Sequence, residues 1–466
     1  MPLVISIAKR MMFAWLFLFT LSSLTAAQTF TNLFNFDSVS GSTPNSVVQD
    51  RDDNLVGTTE YRGANSCGTV FAMTVDGMIL KGSSLDCTQV IDVSGLILGP
   101  DGKFYGNAQL SGGRLTPGAL FKVSTAGVTV IHDFDGTDGE NPIDGLTLGS
   151  DGNYYGVTLN GGTAPGCGTI GCGTVFKTTP TGTLQTLFNF DDNHGASPVG
   201  GLVQGTDGNF YGTTTVSSDS CGNIFRITPK GSLSVLHKFV CGEAYQPVAS
   251  MIQGSDGNFY GTSMSGGSGG DGTVFRVSPS GDFTVLFNFN GGTDGGNLRA
   301  ALVQGTDGNF YGTTCGNSTG GTIFQITPSG VLTTLHNFTG ADGWCSNAAM
   351  VQHTNGIFYG TTSAGGNLSC SAPYGCGTVF SLDMGLPPFI TFVNKFGRIG
   401  AGVQILGQNL TGTTSVTFNG IPATSFTVVS DTFMSAVVPA GATSGPVQAI
   451  TPTGTLTSKV NFQVVP

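Results

Sequence analysis

Apolar and polar positions along this chain follow no sustained helical period. They form short apolar runs of four to seven residues separated by glycine-rich turns, and the runs recur. In the copy from Gly201 to Phe239, Leu202-Val203-Gln204 reads as a short strand and Thr206-Asp207-Gly208-Asn209 as a turn. Asp-Gly between two strands is preferred hairpin chemistry, because glycine accepts a positive φ without penalty. Phe210-Tyr211-Gly212-Thr213-Thr214 is a second strand and Gly222 to Ile227 a third. Thr228-Pro229-Lys230-Gly231 makes the next turn, and Leu233 to Phe239 a fourth strand. The adjacent aromatics Phe210 and Tyr211 break the in–out alternation of a half-exposed strand. They fit one covered on both faces, with the tyrosine hydroxyl reaching a partner at an edge.

The Phe-Tyr-Gly unit occurs seven times, two copies being degenerate. Its closing glycines are 57, 106, 156, 212, 261, 312 and 360, so successive spacings are 49, 50, 56, 49, 51 and 48. A period near fifty marks a repeat architecture. Four short antiparallel strands per period indicate a β-propeller blade. The third-strand motif also occurs seven times, from Gly68–Phe71 to Gly377–Phe380. Only six copies precede a fourth strand, because Leu386-Pro387-Pro388 ends the array. The missing strand stands at the front, where Phe30 to Phe36 matches Leu187–Phe190 and Leu286–Phe289. The fold predicted is therefore all-β. Residues 28–385 should form a seven-bladed β-propeller whose last blade is completed by the N-terminal strand, leaving no free edge.

The run Gly201–Thr214 followed by Gly222–Phe225 resembles the GloVer tandem repeats of secreted bacterial "choice-of-anchor" proteins, over about residues 30–384. That resemblance implies an exported propeller-like protein and carries no catalytic set with it. Beyond Pro388 the period stops. Val403–Leu410, Ser415–Ala423, Val437-Val438-Pro439 and Gly445-Pro446-Val447 resemble the IPT/TIG immunoglobulin-like module, which implies a small β-sandwich over 386–466 serving as spacer or interaction module.

Composition narrows the setting. Charged residues are 10% of the chain while 39% are hydrophobic and 33 are Phe, enough apolar surface to fold. A net charge of −11 argues against nucleic acid or an anionic membrane as partner. Lys9-Arg10, the apolar run Met11 to Leu24 and Thr25-Ala26-Ala27 read as a cleaved signal peptide over 1–27. The mature chain is then expected to be a soluble monomer, secreted, periplasmic or at the cell surface. Ten cysteines agree with that address. Repeat-equivalent spacing pairs Cys67 with Cys87, Cys221 with Cys241, Cys167 with Cys172, Cys370 with Cys376 and Cys315 with Cys345.

Candidate chemistry is sparse. His132, His237 and His336 hold the slot that Phe34, Phe188 and Phe287 fill in other copies, so packing is their expected role. Asp207, Asp256 and Asp307 belong to turns. Asp133, Asp135 and Asp138 loosely resemble a calcium loop but lack the distal glutamate of the full signature. No cofactor is expected, with calcium the weak exception. Function is sought where repetition fails, in the loops between the second and third strands and between blades, which share one face. That face is expected to carry Glu60, Tyr61, Arg62, Arg114, Glu140, His194, Glu243, Tyr245, Arg299, Trp344 and Tyr374, with Trp344 as a stacking platform for a sugar or a cover for its neighbouring disulfide. The favoured function is a non-catalytic binding or adhesion protein for an extracellular glycan or protein. The alternative is an extracellular polysaccharide lyase or hydrolase recruiting Glu60, Glu140, Glu243 or His194.

Overall fold

The computed structural model describes residues 28–111, 117–218, 220–316 and 320–465; the signal peptide expected over 1–27 and Arg114 lie outside them. Every regular element among the described residues is a strand. Seven antiparallel sheets follow the repeats. The first comprises Ser42–Gln49, Leu55–Tyr61, Thr69–Met73 and Ile79–Ser84, and the fourth Val203–Gln204, Phe210–Thr214, Asn223–Ile227 and Leu233–Lys238. The second carries an extra short strand. In the seventh, Thr29–Asn35 pairs antiparallel with Thr378–Asp383, beside Phe358–Thr362 and Val351–Gln352.

Local chemistry explains each strand. In the fourth sheet Gly208 turns at φ 82°. Asp207 Oδ1 accepts the Asn209 amide at 3.1 Å, while its Oδ2 accepts the Asn209 side chain at 2.7 Å and the Tyr211 hydroxyl at 2.8 Å. The repeated aspartate is thus a turn brace, as expected. Tyr211 stacks on Phe259 of the next sheet with centroids 3.9 Å apart, and Tyr155 on Phe210 in the same way. Gly212 lies opposite Phe225, and a Cβ there would meet the Phe225 ring at 2.6 Å and Leu202 at 2.9 Å. The glycine of the motif is therefore the space for a third-strand phenylalanine. Gly212→Ala should cost about 1–3 kcal/mol by overpacking, read from the urea midpoint of the purified protein; no change would mean the ring moves aside freely.

Successive sheets share apolar cores, and the circuit returns to its start. Phe36, Tyr359 and Val379 pack with Val47, Leu55 and Phe71, joining the seventh sheet to the first. A polar relay runs alongside. Gln204 Oε1 accepts the Ser150 amide, Gln253 that of Thr206, Gln304 that of Ser255 and Gln352 that of Thr306, and Gln49 closes it by accepting the Thr354 amide at 3.1 Å.

All five cysteine pairs are bonded as the spacing suggested. Five disulfides indicate an oxidising compartment. No helix among the described residues is long and apolar enough to cross a membrane.

Residues 389–465 form two four-stranded sheets and a short parallel pair around one core that includes Ile405, Phe418, Met434 and Phe462. They dock on the face made by the Asp-Gly turns. Arg51 Nη2 donates to Gln404 Oε1 at 2.8 Å and to Pro100 O at 2.7 Å, with its guanidinium 4.7 Å above the Phe433 ring. Gln408 donates to Thr354 and Asp53, Asn394 to Gly149 O and Lys395 to Gln204 O. With Gln404 Nε2 donating to Pro100 O at 2.7 Å, the segment contacts five of the seven sheets.

Candidate functional site

A residue in the left-handed region recurs once per repeat: Thr43, Asp92, Asn141, Ser197, Gln246, Asn297 and Cys345, at φ between 53° and 58°. None is glycine, so each costs about 1–2 kcal/mol of backbone strain. Bonds to the preceding sheet hold the position. Asn141 N donates to Pro117 O, Ser197 N to Cys172 O, Asn297 N to Asp271 O, Cys345 N to Gly320 O, and Thr43 N to Cys376 O across the closing junction. The hinge turns the chain inward, and two residues later come Asn45, Ser94, Ile143, Val199, Val248, Arg299 and Asn347. All seven line one central cavity of about 570 Å³. Strand threonines pin these inner segments: Thr58 Oγ1 donates to Ser94 O, Thr213 to Pro247 O and Thr262 to Ala300 O, at 3.0–3.1 Å.

Charge in the cavity is unevenly placed. Glu60 lines it, and burial, aided by the nearby Asp92 carboxylate, pushes its carboxyl up to about 7. Arg299 is exposed there, and its one hydrogen bond among the described residues runs from Nε to Asn297 Oδ1 at 3.5 Å. Asp144 is braced, accepting Ser250 Oγ at 2.6 Å and the Gly201 and Gly145 amides at 2.7 Å. The cavity therefore offers a forked cation, a carboxyl poised near neutrality and a fixed carboxylate among small apolar groups. Such a mixture orients a polar ligand.

Of the residues expected on the loop face, Glu60 and Arg299 reach this cavity. The others among the described residues do not line it. Glu140, Tyr245 and Trp344 hold equivalent positions just before three of the left-handed hinges, bridged to Asn160, Ser265 and Ala364, so they belong to three separate sheets. Tyr61, Tyr245, Trp344 and Tyr374 are exposed. Arg62 bridges to Cys67. His194 Nδ1 lies 2.7 Å from Asp191, and Glu243 lies 3.2 Å from His237 Nε2. Glu60 alone of the four catalytic recruits enters the cavity.

The histidine slot packs as expected, His237 stacking on Phe283 at 4.1 Å and His336 on Phe30 at 3.7 Å. Each also meets an acid six residues on, His132 with Asp138 at 2.8 Å and His336 with Asp342 at 2.9 Å. Asp138 is thus committed to a histidine, Asp133 accepts Ser111, and Asp135 braces its own loop through Thr137. Among the described residues no group of three or more His, Cys, Asp or Glu is placed to hold a metal.

Asn45, Asp92, Ser94, Asp144 and Asn347 were not foreseen. The inner residue stands twelve or thirteen positions before each closing glycine, so aligning that column would have shown polar residues in the first two and last two repeats and aliphatic ones in the three between.

No curated protein matches the chain. An oligogalacturonate lyase solved with manganese is similar in structure over 77% of this chain and 96% of that one, at 12% identity and TM-score 0.50. A gluconolactonase of Xanthomonas campestris matches over 78% and 91%, at 13% identity and TM-score 0.39. The first likeness shows a propeller-like fold and nothing of activity. The profile of the Gloeobacter/Verrucomicrobia repeat matches residues 18–170, 82–252 and 215–428. With that match spanning most of its length, the chain belongs to the Gloeobacter/Verrucomicrobia repeat family.

Proposed function

We propose that residues 28–385 are a seven-bladed β-propeller latched by its N-terminal strand, that residues 386–466 are an IPT/TIG immunoglobulin-like module, and that the exported chain is a non-catalytic binding or adhesion protein. Its ligand is a glycan or a protein segment entering the central cavity from the loop face, because the docked module covers the opposite end near Leu148, Val203 and Phe392. One observation carries this reading. The repeats agree in their turns and cores but disagree at the seven inward positions, where Arg299, Asn347, Asn45 and Ser94 stand against the aliphatic Ile143, Val199 and Val248. Arginine's planar fork suits paired sugar hydroxyls or a carboxylate. Trp344 and Tyr245, exposed one position before two of the hinges, would add aromatic faces for a sugar.

The test is a glycan array probed with the mature protein beside Arg299→Ala. Wild type should retain a defined set of glycans and the variant should bind them at least tenfold more weakly. Equal binding by both removes the central cavity as the site.

Glu60 favours a second reading, an extracellular polysaccharide lyase or hydrolase. A carboxyl near 7 suits a general acid. Against this, Glu140, Glu243 and His194 are engaged elsewhere. Release of new sugar ends from a bound glycan, lost in Glu60→Gln, would favour the enzyme.

A further inference from the structure

The fourth strand of six sheets carries a bulge filled by a branched aliphatic residue: Leu33, Ile131, Leu187, Leu236, Leu286 or Leu335. These residues pack onto the core shared with the next sheet, helped by a Phe or His one position later. In five of the six the bulge also locks the junction, since its carbonyl lies against a turn glycine of the next sheet; Leu335 O instead accepts the Gln28 side chain. A Cβ on Gly281 would meet Leu236 O at 2.7 Å, and one on Gly330 would meet Leu286 O at 2.6 Å.

The junction between the first and second sheets breaks this rule in three ways. Gly82 stands where the aliphatic residue belongs and Ser83 where the Phe belongs. The bulge has slid two residues back to Leu80, which is exposed. The matching turn glycine, Gly127, has nothing within 4 Å of a built Cβ, and neither has Gly82. What remains is a cleft of about 440 Å³ floored by Val70, Phe71, Phe104 and Val128, with Lys81 on its rim. That is within the size range of small-molecule sites.

We propose that this cleft binds a small, mainly apolar molecule with a branched aliphatic or aromatic group, taking the place of the leucine and phenylalanine side chains that the other junctions supply from the chain itself. The other six junctions define the occupant's chemistry. The same slot, built from the same strands, accepts Leu or Ile beside Phe or His. Filling it stabilises by removing apolar wall from water. The site is separate from the central cavity, with Gly82 and Ser83 on a fourth strand and none of the inward residues among its lining.

The experiment uses the neutral fluorescent amine N-phenyl-1-naphthylamine with the full mature chain. Wild type should bind one equivalent, with enhanced and blue-shifted emission. Gly82→Leu/Ser83→Phe should lose that binding at least tenfold while melting at the same or a higher temperature, because the chain then fills its own slot. Should the double variant fail to fold, Ser83→Phe alone, which keeps the backbone glycine, is read in the same way. Unchanged binding by the folded variant, or no saturable binding by wild type, overturns the proposal.

Discussion

Phe36→Ala is expected to destabilise the protein by about 3–5 kcal/mol, the usual cost of deleting a fully buried phenylalanine. Phe36 is completely buried, with its ring 5.2 Å from Phe71 of the first sheet and its amide donating to Gly377 O of the seventh at 3.0 Å. Few side chains touch both ends of the repeat array, and this one sits where they meet. Removing residues 28–36 should do more. It strips Phe30 from Phe380 and His336, leaves the Thr378–Asp383 strand with an open edge, and ends the pairing that ties the first strand to the last sheet. An exposed edge recruits other chains, so the truncated protein should self-associate in size-exclusion chromatography while Phe36→Ala keeps the wild-type elution volume with a lowered urea midpoint. A Phe36→Ala midpoint within error of wild type would mean that closure contributes little to stability.

The latch was legible because its signal is local. Leu33-Phe34-Asn35-Phe36 repeats Leu187-Phe188-Asn189-Phe190, and the count of third strands exceeds that of fourth strands by one. Disulfides were legible for the same reason, their spacing being inherited from the repeat. The central site was only half legible. Glu60 and Arg299 stood out as charges found once. Asp92 and Asp144 did not, because one sits on a left-handed hinge and the other in a brace built from three sheets. Neither property belongs to a sequence neighbourhood; both arise when segments about fifty residues apart converge on one axis. Docking of the C-terminal sheets was hidden likewise. Arg51 reads as a turn residue until Gln404, Pro100 and Phe433 are brought beside it. The histidine slot shows the opposite error. Equivalence with phenylalanine correctly indicated stacking but concealed the acid six residues on, since no phenylalanine copy needs one.

Glu60→Gln should make the protein more stable in alkaline solution and leave it unchanged in acid. In the unfolded chain the Glu60 carboxyl ionises near 4.5, whereas in the folded protein burial and Asp92 hold it near 7. Below the unfolded value both states carry the proton and the group has no effect on folding. Between the two values the unfolded chain releases its proton while the folded one keeps it, so stability falls as pH rises. Above the folded value the penalty is complete, on the order of 3 kcal/mol for a shift of this size. Glutamine has the same shape and no charge to desolvate, so melting curves of the two proteins should coincide at pH 4 and separate progressively to pH 8.5, with the variant higher. Parallel curves across that range would place Glu60 in contact with water, and a cavity wet enough to ionise it freely could not sharpen the charge of Arg299 for a ligand. The glutamate thus costs stability at the pH where the protein would work. A residue held at such a cost, lining the same cavity as the lone cation among the inward positions, is better accounted for by what enters the cavity than by the packing of its walls.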